Sequence, residues 1–286
     1  MALSSMIRHS FVGLGIRKIL HVLFVLKHID GKPVTYALPH NITIQLYPKG
    51  EIAEFLTLQR FFEQTELTLV GACIKPGMHV VDVGANVGLY SIYASKLTQN
   101  NVTISAFEPS QAVVDLLEAN LTLNNCTNVT PHRMALSDQE NTQLNLTSDA
   151  GYGDAYRYLL PAKNAPESQG SELVQVTTLD HWVETNDVDR IDFLKVDIEG
   201  GEYKFFLGAK EAISNNPDII VLFENEPDWC KRAGCTQEDS INLLKSLGLN
   251  VFAWNSRSCQ WSQDHSDLLK AGMLWACRNS AQLPNI

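Results

Sequence analysis

The fold is decided by residues 80–88, which read Val80-Val81-Asp82-Val83-Gly84-Ala85-Asn86-Val87-Gly88. An apolar strand ends in an acid, a Gly-x-x-x-Gly turn follows, and a helix is expected from Tyr90. Gly84 permits a tight turn and lets a ligand lie against the backbone. Backbone amides at the start of the helix attract a carboxylate, and Asp82 can accept a hydrogen bond from an ammonium, directly or through water. A ligand that carries both groups is an amino acid, or a molecule with an amino-acid end such as S-adenosylmethionine.

Strand-like and helix-like segments alternate from about residue 78 onward. Short apolar runs predict strands, and apolar residues spaced three and four apart predict helices. The predicted strands are 79–83, 102–107, 129–136, 191–196, 219–223, 249–254 and 273–277, and the predicted helices are 90–97, 111–123, 203–213 and 239–247. This alternation predicts an α/β, Rossmann-like fold, in which a mostly parallel seven-stranded sheet carries helices on both faces.

The N-terminal part of the chain lies outside this alternation. We expect residues 1–50 to form an extension and residues 51–286 to form the main domain. A strand-like segment at 41–46 and an amphipathic helix at 53–70 precede the first strand of the sheet. We expect them to form a lid or a packing layer.

Residues 137–178 form a polar insert between the third and fourth predicted strands. It contains two alternating segments, 143–146 and 173–177, which favour a hairpin-like excursion over the carboxyl edge of the sheet. Tyr152, between two glycines, lies either in a mobile loop that closes on a substrate or in a plain surface turn. Long loops at this edge usually shape a substrate pocket, so we expect this insert to do so.

Composition and charge limit the partners and the compartment. The chain has 286 residues and a net charge of −10, which argues against a nucleic-acid partner because phosphates repel such a surface. Six cysteines without a C-x-x-C pair argue against a zinc site and favour a reducing compartment. Several of the six N-x-[ST] sequons fall in predicted core elements, where a glycan could not fit. We therefore expect a cytoplasmic protein.

The first 28 residues are apolar but contain several basic residues. Their charge-free stretches, 9–16 and 19–26, are too short to span a bilayer, and no signal-peptide cleavage site follows. We expect no transmembrane segment. A short basic helix here would pack on the domain or on a partner, and weak peripheral membrane contact is the alternative.

A second acid supports a nucleoside ligand. Glu108, in Phe107-Glu108-Pro109, ends the second predicted strand 26 residues after Asp82. An acid at this place can bind ribose hydroxyls, as in other nucleoside-binding α/β folds. The sequence lacks the G-x-G-x-x-G pattern of dinucleotide sites, which weakens a nicotinamide-dependent oxidoreductase as an alternative. A plain glycine turn with a capping acid is the structural alternative.

Several motifs together resemble FkbM-type S-adenosylmethionine-dependent methyltransferases, over about residues 61–225. They are Asp82-Val83-Gly84-Ala85-Asn86-Val87-Gly88, Phe107-Glu108-Pro109, Ala135-Leu136-Ser137-Asp138, Thr178-Leu179-Asp180 and Leu194-Lys195-Val196-Asp197-Ile198-Glu199-Gly200-Gly201-Glu202. The resemblance implies a class I methyltransferase fold and S-adenosylmethionine as cofactor. It also implies methylation of a hydroxyl group on a small molecule, polyketide or glycan. The candidate cofactor-binding residues are Asp82, Gly84, Ala85, Asn86, Gly88, Glu108, Pro109, Ala135 and Asp197.

Acidic residues that follow the fourth and fifth strands are the catalytic candidates. Asp197, Glu199 and Glu224 should lie beyond the carboxyl ends of these strands, where ligands sit in such sheets. Asp197 could accept the proton that an attacking alcohol loses. Alternatively, the three acids could hold a divalent cation that lowers the pKa of the hydroxyl. We expect Glu202 to stabilise a helix start and Lys195 to pair with one of the acids.

Other candidates are weaker. His181 is a rival base, but a structural or surface role suits it better, and we expect His79 and His132 to be packing residues. Four tryptophans could form a sugar-stacking wall, although core packing is the simpler expectation; they are Trp182, Trp229, Trp254 and Trp261. The functional alternatives are N-methylation of a small molecule, a nicotinamide-dependent oxidoreductase, a nucleic-acid methyltransferase and a non-catalytic scaffold on the same fold.

Overall fold

The computed structural model of the chain describes residues 25, 32–48, 52–53, 56, 63–148, 157–160 and 171–284. The strands are β1 (Val34–Leu38), β2 (Ile42–Leu46), β3 (His79–Val83), β4 (Thr103–Phe107), β5 (Val129–His132), β6 (Ala135–Leu136), β7 (Thr142–Ser148), β8 (Arg157–Leu160), β9 (Glu172–Thr177), β10 (Phe193–Val196), β11 (Ile220–Glu224), β12 (Asn250–Asn255), β13 (Gln260–Ser262) and β14 (Met273–Cys277). The helices are α1 (Gln64–Cys73), α2 (Leu89–Leu97), α3 (Gln111–Leu123), α4 (Leu179–Thr185), α5 (Glu202–Leu207), α6 (Lys210–Asn215), α7 (Pro227–Ala233), α8 (Gln237–Ser246) and α9 (His265–Leu268).

The large sheet has its strands in the order β13-β12-β14-β11-β10-β3-β4-β5. The pairs from β11 to β5 are parallel, whereas β14 runs antiparallel to both of its neighbours. All seven predicted strands belong to this sheet, and the short β13 adds an eighth strand at one edge. The strand order reverses between β3 and β10, and α/β sheets bind ligands beyond the carboxyl ends of the strands at such a switch point.

Two hydrophobic layers cover the faces of this sheet. Side chains alternate along a strand, so Val80 packs in one layer while Val81 and Val83 pack in the other. The first layer includes residues of α1, α2 and α3, and the second includes residues of α4, α5, α6 and α8. The predicted α/β architecture with helices on both faces is confirmed.

Two predicted elements are divided in the structure. The strand predicted over 129–136 becomes β5 and β6, because the chain turns at Met134, whose amide donates to the His132 carbonyl at 2.9 Å. The helix predicted over 203–213 becomes α5 and α6, separated at Gly208. A Cβ atom on Gly208 would lie 2.1 Å from the Ser137 carbonyl oxygen, so close packing against the start of the insert fixes this break.

The insert forms a second sheet in the order β6-β9-β7-β8. Its two alternating segments pair antiparallel as expected, with Leu144 opposite Val174. Leu146, Val174 and Val176 form a small core of their own with Ala135. Residues 149–156, which include the Tyr152 loop, lie outside the described residues.

The described part of the N-terminal extension is an antiparallel hairpin of β1 and β2, and the predicted strand at 41–46 is confirmed as β2. Of the helix predicted over 53–70, the structure describes α1 and three helical residues before it. The proposed helix within residues 1–28 lies outside the described residues apart from position 25. No helix in the described part of the chain is long and apolar enough to cross a membrane.

Two buried asparagines, one in α3 and one just after its last residue, attach this hairpin to the domain. Asn120 accepts from the Gln45 amide at 2.7 Å and donates to the Gln45 carbonyl at 3.1 Å, and Asn124 makes the same pair of bonds to Thr43 at 2.9 and 2.6 Å. Asn120 and Asn124 lie about one helical turn apart, and their partners Gln45 and Thr43 lie two residues apart on the strand, so the spacings agree. Each side-chain amide makes the pair of hydrogen bonds that the backbone of a neighbouring strand would otherwise make. Asn120 also donates to the Val87 carbonyl at 3.0 Å, which ties the hairpin to the glycine turn. Its side chain is 0% exposed, so this sequon cannot carry a glycan in the folded chain.

We expect Asn120→Ala to lower the free energy of unfolding by about 2–4 kcal/mol, because it leaves several backbone groups without a partner. Urea unfolding followed by circular dichroism measures the change. Glu118→Ala, an exposed substitution on the same helix, is the control and should change stability by less than about 0.5 kcal/mol. Equal unfolding midpoints for Asn120→Ala and the unmodified chain would contradict this account of the hairpin.

Candidate functional site

The glycine turn between β3 and α2 is shaped by close packing. Gly84 and Gly88 have φ values of 74° and 90°, which glycine adopts without strain. A Cβ atom on Gly84 would lie 1.9 Å from the Asp197 carbonyl oxygen, and one on Gly88 would lie 2.4 Å from the Leu117 side chain. Contacts within the protein therefore require glycine at both positions. From the sequence we expected a different reason, namely that a ligand approaches the backbone there.

Three amides of the turn are already engaged. The amides of Gly84 and Ala85 both donate to the Phe107 carbonyl, at 3.0 and 2.9 Å. The Asn86 amide donates to Glu108 Oε2 at 3.2 Å. These bonds join the turn to the end of β4, and the expected role of the amides at the start of the helix stays a prediction.

Lys195 is a buried residue that contacts the glycine turn and the acids at the ends of β3 and β10. Its Nζ atom donates to the Gly84 carbonyl at 2.8 Å and lies 3.3 Å from Asp197 Oδ2 and 3.5 Å from Asp82 Oδ1. Lys195 stands opposite Asp82 in the parallel pair of β10 and β3. Burial lowers the pKa of Lys195, but the carboxylates of Asp197, Asp82 and Glu63 outweigh burial and raise the pKa above its ordinary value. The expected pairing of Lys195 with acids is confirmed.

Asp82 is buried and only 1% exposed. Ser91 donates its hydroxyl to Asp82 Oδ2 at 2.6 Å, and Lys195 lies beside Oδ1. A ligand ammonium could contact Asp82 directly only if one of these neighbours moved. Asp82 is thus the partner of Lys195, and its expected contact with a ligand ammonium, directly or through water, stays a prediction.

Glu108 lies at the carboxyl end of β4, as expected. Its Oε2 atom accepts from the Asn86 amide, and its Oε1 atom accepts from the Ser110 amide at 3.0 Å. These bonds fix the carboxylate beside the glycine turn, where an acid that binds ribose should lie. Pro109 follows it, and Ala135 lies in β6, beyond the end of β5. The cofactor-binding roles of these residues stay predictions.

The three catalytic candidates meet at one edge of the sheet. Asp197, Glu199 and Glu224 each offer a carboxylate oxygen, and these oxygens lie within 4.8 Å of one another. All three residues are partly exposed. They meet because β10 and β11 are parallel neighbours, with Val196 opposite Phe223, so both strands end at the same edge.

The loop that carries Glu199 has a constrained backbone. Glu199 has a φ of 57°, a left-handed conformation that persists in a non-glycine residue only when its surroundings enforce it. Arg232 donates to the Glu199 carbonyl at 2.8 Å and stacks over the Trp229 ring at 4.4 Å. A Cβ atom on Gly200 would lie 2.4 Å from the Trp229 carbonyl oxygen. Helix α7, which the sequence did not indicate, thus holds this loop in place.

Burial and crowding raise the pKa values of carboxyl groups at this edge of the sheet. Burial raises the pKa of Glu224 to about 11, and the charges of Asp197, Glu202 and Glu199 add to the effect. Glu224 therefore carries a proton at neutral pH.

Glu202 is the first residue of α5. Its Oε1 atom accepts from the Ile198 amide at 2.9 Å, and burial raises its pKa to about 7. Glu202 lies in the first turn of α5 as expected, but its carboxylate binds the preceding loop, so its stabilisation of the helix start stays a prediction.

Glu63 belongs to the same region, and the sequence reasoning missed it. It immediately precedes α1 and has a φ of 46°. Burial and the negative charge of Asp197 raise its pKa to about 7, against the opposing influence of Tyr90 and Lys195. The acid before α1 in the sequence was the available signal, but only the tertiary structure brings it to the ends of β3 and β10.

His181 lies apart from these acids, in the first turn of α4. Its Nε2 atom is 3.2 Å from Asn141 Nδ2, and its Nδ1 atom is 4.0 Å from Glu140. Thr178, rather than an aspartate, accepts from the His181 amide, whereas Asp180 accepts from two amides at the start of α6. These contacts support a structural role for His181.

The other histidines and the tryptophans pack as expected. His132 stacks on Phe107 with ring centroids 4.7 Å apart and lies edge-on to Trp182. His79 lies 3.0 Å from the Ser105 hydroxyl. Trp261 packs between Trp254 and Trp275, with ring centroids at 4.9 and 5.6 Å. These contacts favour core packing over a single sugar-stacking wall.

Comparison with known proteins gives the family. A protein-family model described as the Methyltransferase FkbM domain matches residues 82–249. The matched span is more than half of the chain, and it contains the glycine turn, Glu108, Asp197 and Glu224.

Three curated relatives are similar to this chain. It is 30% identical to Methyltransferase sdnD of Sordaria araneosa over 227 residues, which cover 67% of this chain and 80% of that protein. It is 37% identical to the 31-O-demethyl-FK506 methyltransferase FkbM of Streptomyces tacrolimicus over 86 residues, 30% of this chain and 32% of that protein. It is 29% identical over 231 residues to the AMB antimetabolite synthetase AmbE of Pseudomonas aeruginosa, covering 68% of this chain but only 10% of the synthetase.

The large sheet has its switch point between β3 and β10 and contains one internal antiparallel strand. This order agrees with the class I fold that the motifs led us to expect. Together with the match over 82–249, this establishes that the chain belongs to the FkbM family of S-adenosylmethionine-dependent methyltransferases.

Proposed function

We propose that the chain methylates a hydroxyl group of a small molecule, polyketide or glycan, with Asp197 as the general base. The observation that carries this proposal is the group of three carboxylates at the ends of β10 and β11, whose oxygens lie within 4.8 Å of one another. Asp197 is suited to contact an acceptor because its side chain is 25% exposed. The printed name of the Streptomyces relative refers to an O-demethyl compound, which also favours a hydroxyl acceptor.

The residues around the switch point suit a cofactor that carries positive charge. Among the described residues, Lys195 lies beside Glu63, Asp82 and Asp197, so acids outnumber cations. Glu63 Oε2 and the Tyr90 hydroxyl are buried there without a hydrogen bond to another described residue, and a polar ligand would satisfy such atoms. We propose that the turn from Gly84 to Gly88, with Glu108, Pro109, Ala135 and Asp197, lines this site. When bound, S-adenosylmethionine supplies a methyl group already activated on a sulfonium.

Asp197 is the best placed base of the three. An alcohol must lose its proton as it attacks, and a carboxylate within hydrogen-bonding reach can accept it. Lys195 lies 3.3 Å from Asp197 Oδ2, which orients the carboxylate and leaves Oδ1 for the acceptor. Glu224 already holds a proton at neutral pH, because burial raises its pKa to about 11. Glu224 therefore acts as a hydrogen-bond donor, and Glu199 is the second candidate base.

The acidic surroundings favour a hydroxyl acceptor over an amine. Nearby carboxylates raise the pKa of an amine and keep it protonated, and a protonated amine cannot attack the methyl group. A neutral hydroxyl benefits from the same carboxylates, because they accept its proton. For this reason we rank N-methylation second, below methylation of a hydroxyl group. The membership of the FkbM family leaves no support for a nicotinamide-dependent oxidoreductase.

A divalent cation is the alternative way to activate the hydroxyl. Asp197, Glu199 and Glu224 offer the oxygen ligands that Mg²⁺ and Ca²⁺ prefer, and a cation would displace the proton of Glu224. We propose the metal-free route, in which the raised pKa of Glu224 reduces the repulsion among the three acids; a bound cation would instead lower that pKa.

We also propose a cytoplasmic enzyme that does not act on nucleic acid. The support is the net charge of −10 and, among the described residues, an insert sheet between β5 and β10 that is available to shape a pocket for a small acceptor.

We expect Asp197→Asn to reduce methyl transfer by about 10²–10⁴-fold, the usual contribution of a general base, while binding of S-adenosylhomocysteine persists. Mass spectrometry of hydroxylated polyketides and glycans incubated with isotope-labelled cofactor measures the transfer. Asp228→Asn, an exposed substitution in α7, is the matched control. Unchanged turnover in Asp197→Asn would refute its role as base, and labelling of amines in place of hydroxyls would favour N-methylation.

We expect Glu224→Gln to retain methyl transfer, because glutamine imitates the protonated carboxyl group in shape and charge. Treatment with EDTA should likewise leave the rate unchanged. The same labelled-cofactor assay measures both. Loss of transfer in Glu224→Gln, together with loss after EDTA that Mg²⁺ restores, would instead establish the divalent-cation route.

A further inference from the structure

Glu63 is an acid at the switch point that neither β3 nor β10 supplies. Its carbonyl accepts from the Leu67 amide at 2.9 Å, which fixes it at the start of α1. Its Oε2 atom is buried and has no hydrogen-bond partner among the described residues. A buried carboxylate oxygen without a partner is costly, so its presence points to a ligand that supplies the missing donor.

The groups that face Glu63 do not neutralise it. Within the described residues they are Glu66 from α1, Tyr90 from α2, Lys195 from β10 and Asp197 just after β10. Two of the four are acids. The Tyr90 hydroxyl lies close enough to Glu63 to lower its pKa, but it makes no hydrogen bond of good geometry there. Lys195 is the cation of this group, and its Nζ atom already lies within 3.5 Å of two other carboxylates.

The missing donor has the chemistry of an ammonium group. Glu63, Asp82 and Asp197 contribute three carboxylates, against the one ammonium of Lys195. A second ammonium group would reduce this excess of negative charge, and it offers three N–H donors. Asp82 Oδ1 also lacks a hydrogen bond, but Lys195 lies 3.5 Å from it and Ser91 donates to Oδ2, so the charge of Asp82 is already balanced.

We propose that Glu63, rather than Asp82, binds the ammonium group at the amino-acid end of the cofactor. The assignment rests on S-adenosylmethionine as the cofactor of the family and is independent of which acceptor is methylated. It adds to the site a residue that precedes the region matched by the family, 82–249.

Cofactor binding should then release a proton. Burial and Asp197 raise the pKa of Glu63 to about 7, so part of the free protein carries a protonated Glu63 at neutral pH. A bound ammonium favours the ionised carboxylate and lowers this pKa. Affinity for the cofactor should therefore rise with pH through about 7, by up to about tenfold per pH unit for one released proton.

Isothermal titration calorimetry of the full chain tests this. S-adenosylhomocysteine is titrated at pH 6.5 in two buffers with different ionisation enthalpies, so that the difference in heat reports the protons released. We expect release with this ligand and none with 5′-methylthioadenosine, which has the nucleoside and the sulfur but lacks the ammonium group.

Glu63→Gln should abolish the proton release, flatten the pH dependence and weaken binding of S-adenosylhomocysteine by about tenfold or more, as for loss of a hydrogen bond to a charged group. Glu66→Gln removes the same charge three residues further along the chain, in α1, and should retain the release. Circular dichroism checks that each variant is folded, and Tyr90→Phe provides a second change beside Glu63 that should shift the pH dependence without removing the proton release.

Three results would overturn the assignment: no proton release by the unmodified chain, equal release with 5′-methylthioadenosine, or persistence of the release in Glu63→Gln. The last would identify Glu202, whose pKa burial also raises to about 7, as the source. Absence of any binding would overturn it too, together with the cofactor site itself. Because no acceptor is present, these outcomes are independent of whether a hydroxyl is methylated.

Discussion

The buried ammonium of Lys195 is the interaction on which the rest of the site depends. It joins the carbonyl of the glycine turn to the carboxylates of two adjacent strands, all within 3.5 Å. Burying an ion costs several kcal/mol unless partners of good geometry surround it, so the turn, β3 and β10 must keep a single arrangement. Asp82 provides the permanent countercharge, which leaves Asp197 partly exposed and available to an acceptor.

The backbone of the site is fixed by equally close contacts. Gly84 leaves no room for a side chain above the Asp197 carbonyl, and Asn120 ties the same turn to the N-terminal hairpin. Helix α7 holds the loop of Glu199 through Arg232. Catalysis by alignment requires such rigidity, because most of the rate of a displacement comes from holding the reacting groups in place. The crowded acids at the edge of the sheet are tolerated because Glu224 keeps a proton.

Much of this arrangement could be predicted from the sequence. Alternation of apolar runs located seven of the eight strands of the sheet, because layers on both faces bury these strands. The acids after β10 and β11 were predicted to meet because parallel strands end at one edge. The division of the strand over 129–136 and of the helix over 203–213 could not be predicted, since the first depends on a turn at Met134 and the second on the packing of Gly208 against Ser137. The contacts of Asp82 and of the turn amides could not be predicted either, because their partners come from β4, α2 and β10.

The sequence by itself therefore determined the fold class, the family and the acids that the chemistry requires, because hydrophobic periodicity and short motifs are local properties. Only the tertiary structure decided which acids are neutralised, which are protonated and which are left to bind a ligand. Those properties depend on burial and on distances between groups far apart in the chain, as between Glu63 and Asp197, or Asp82 and Lys195. Local patterns carry no information about either quantity.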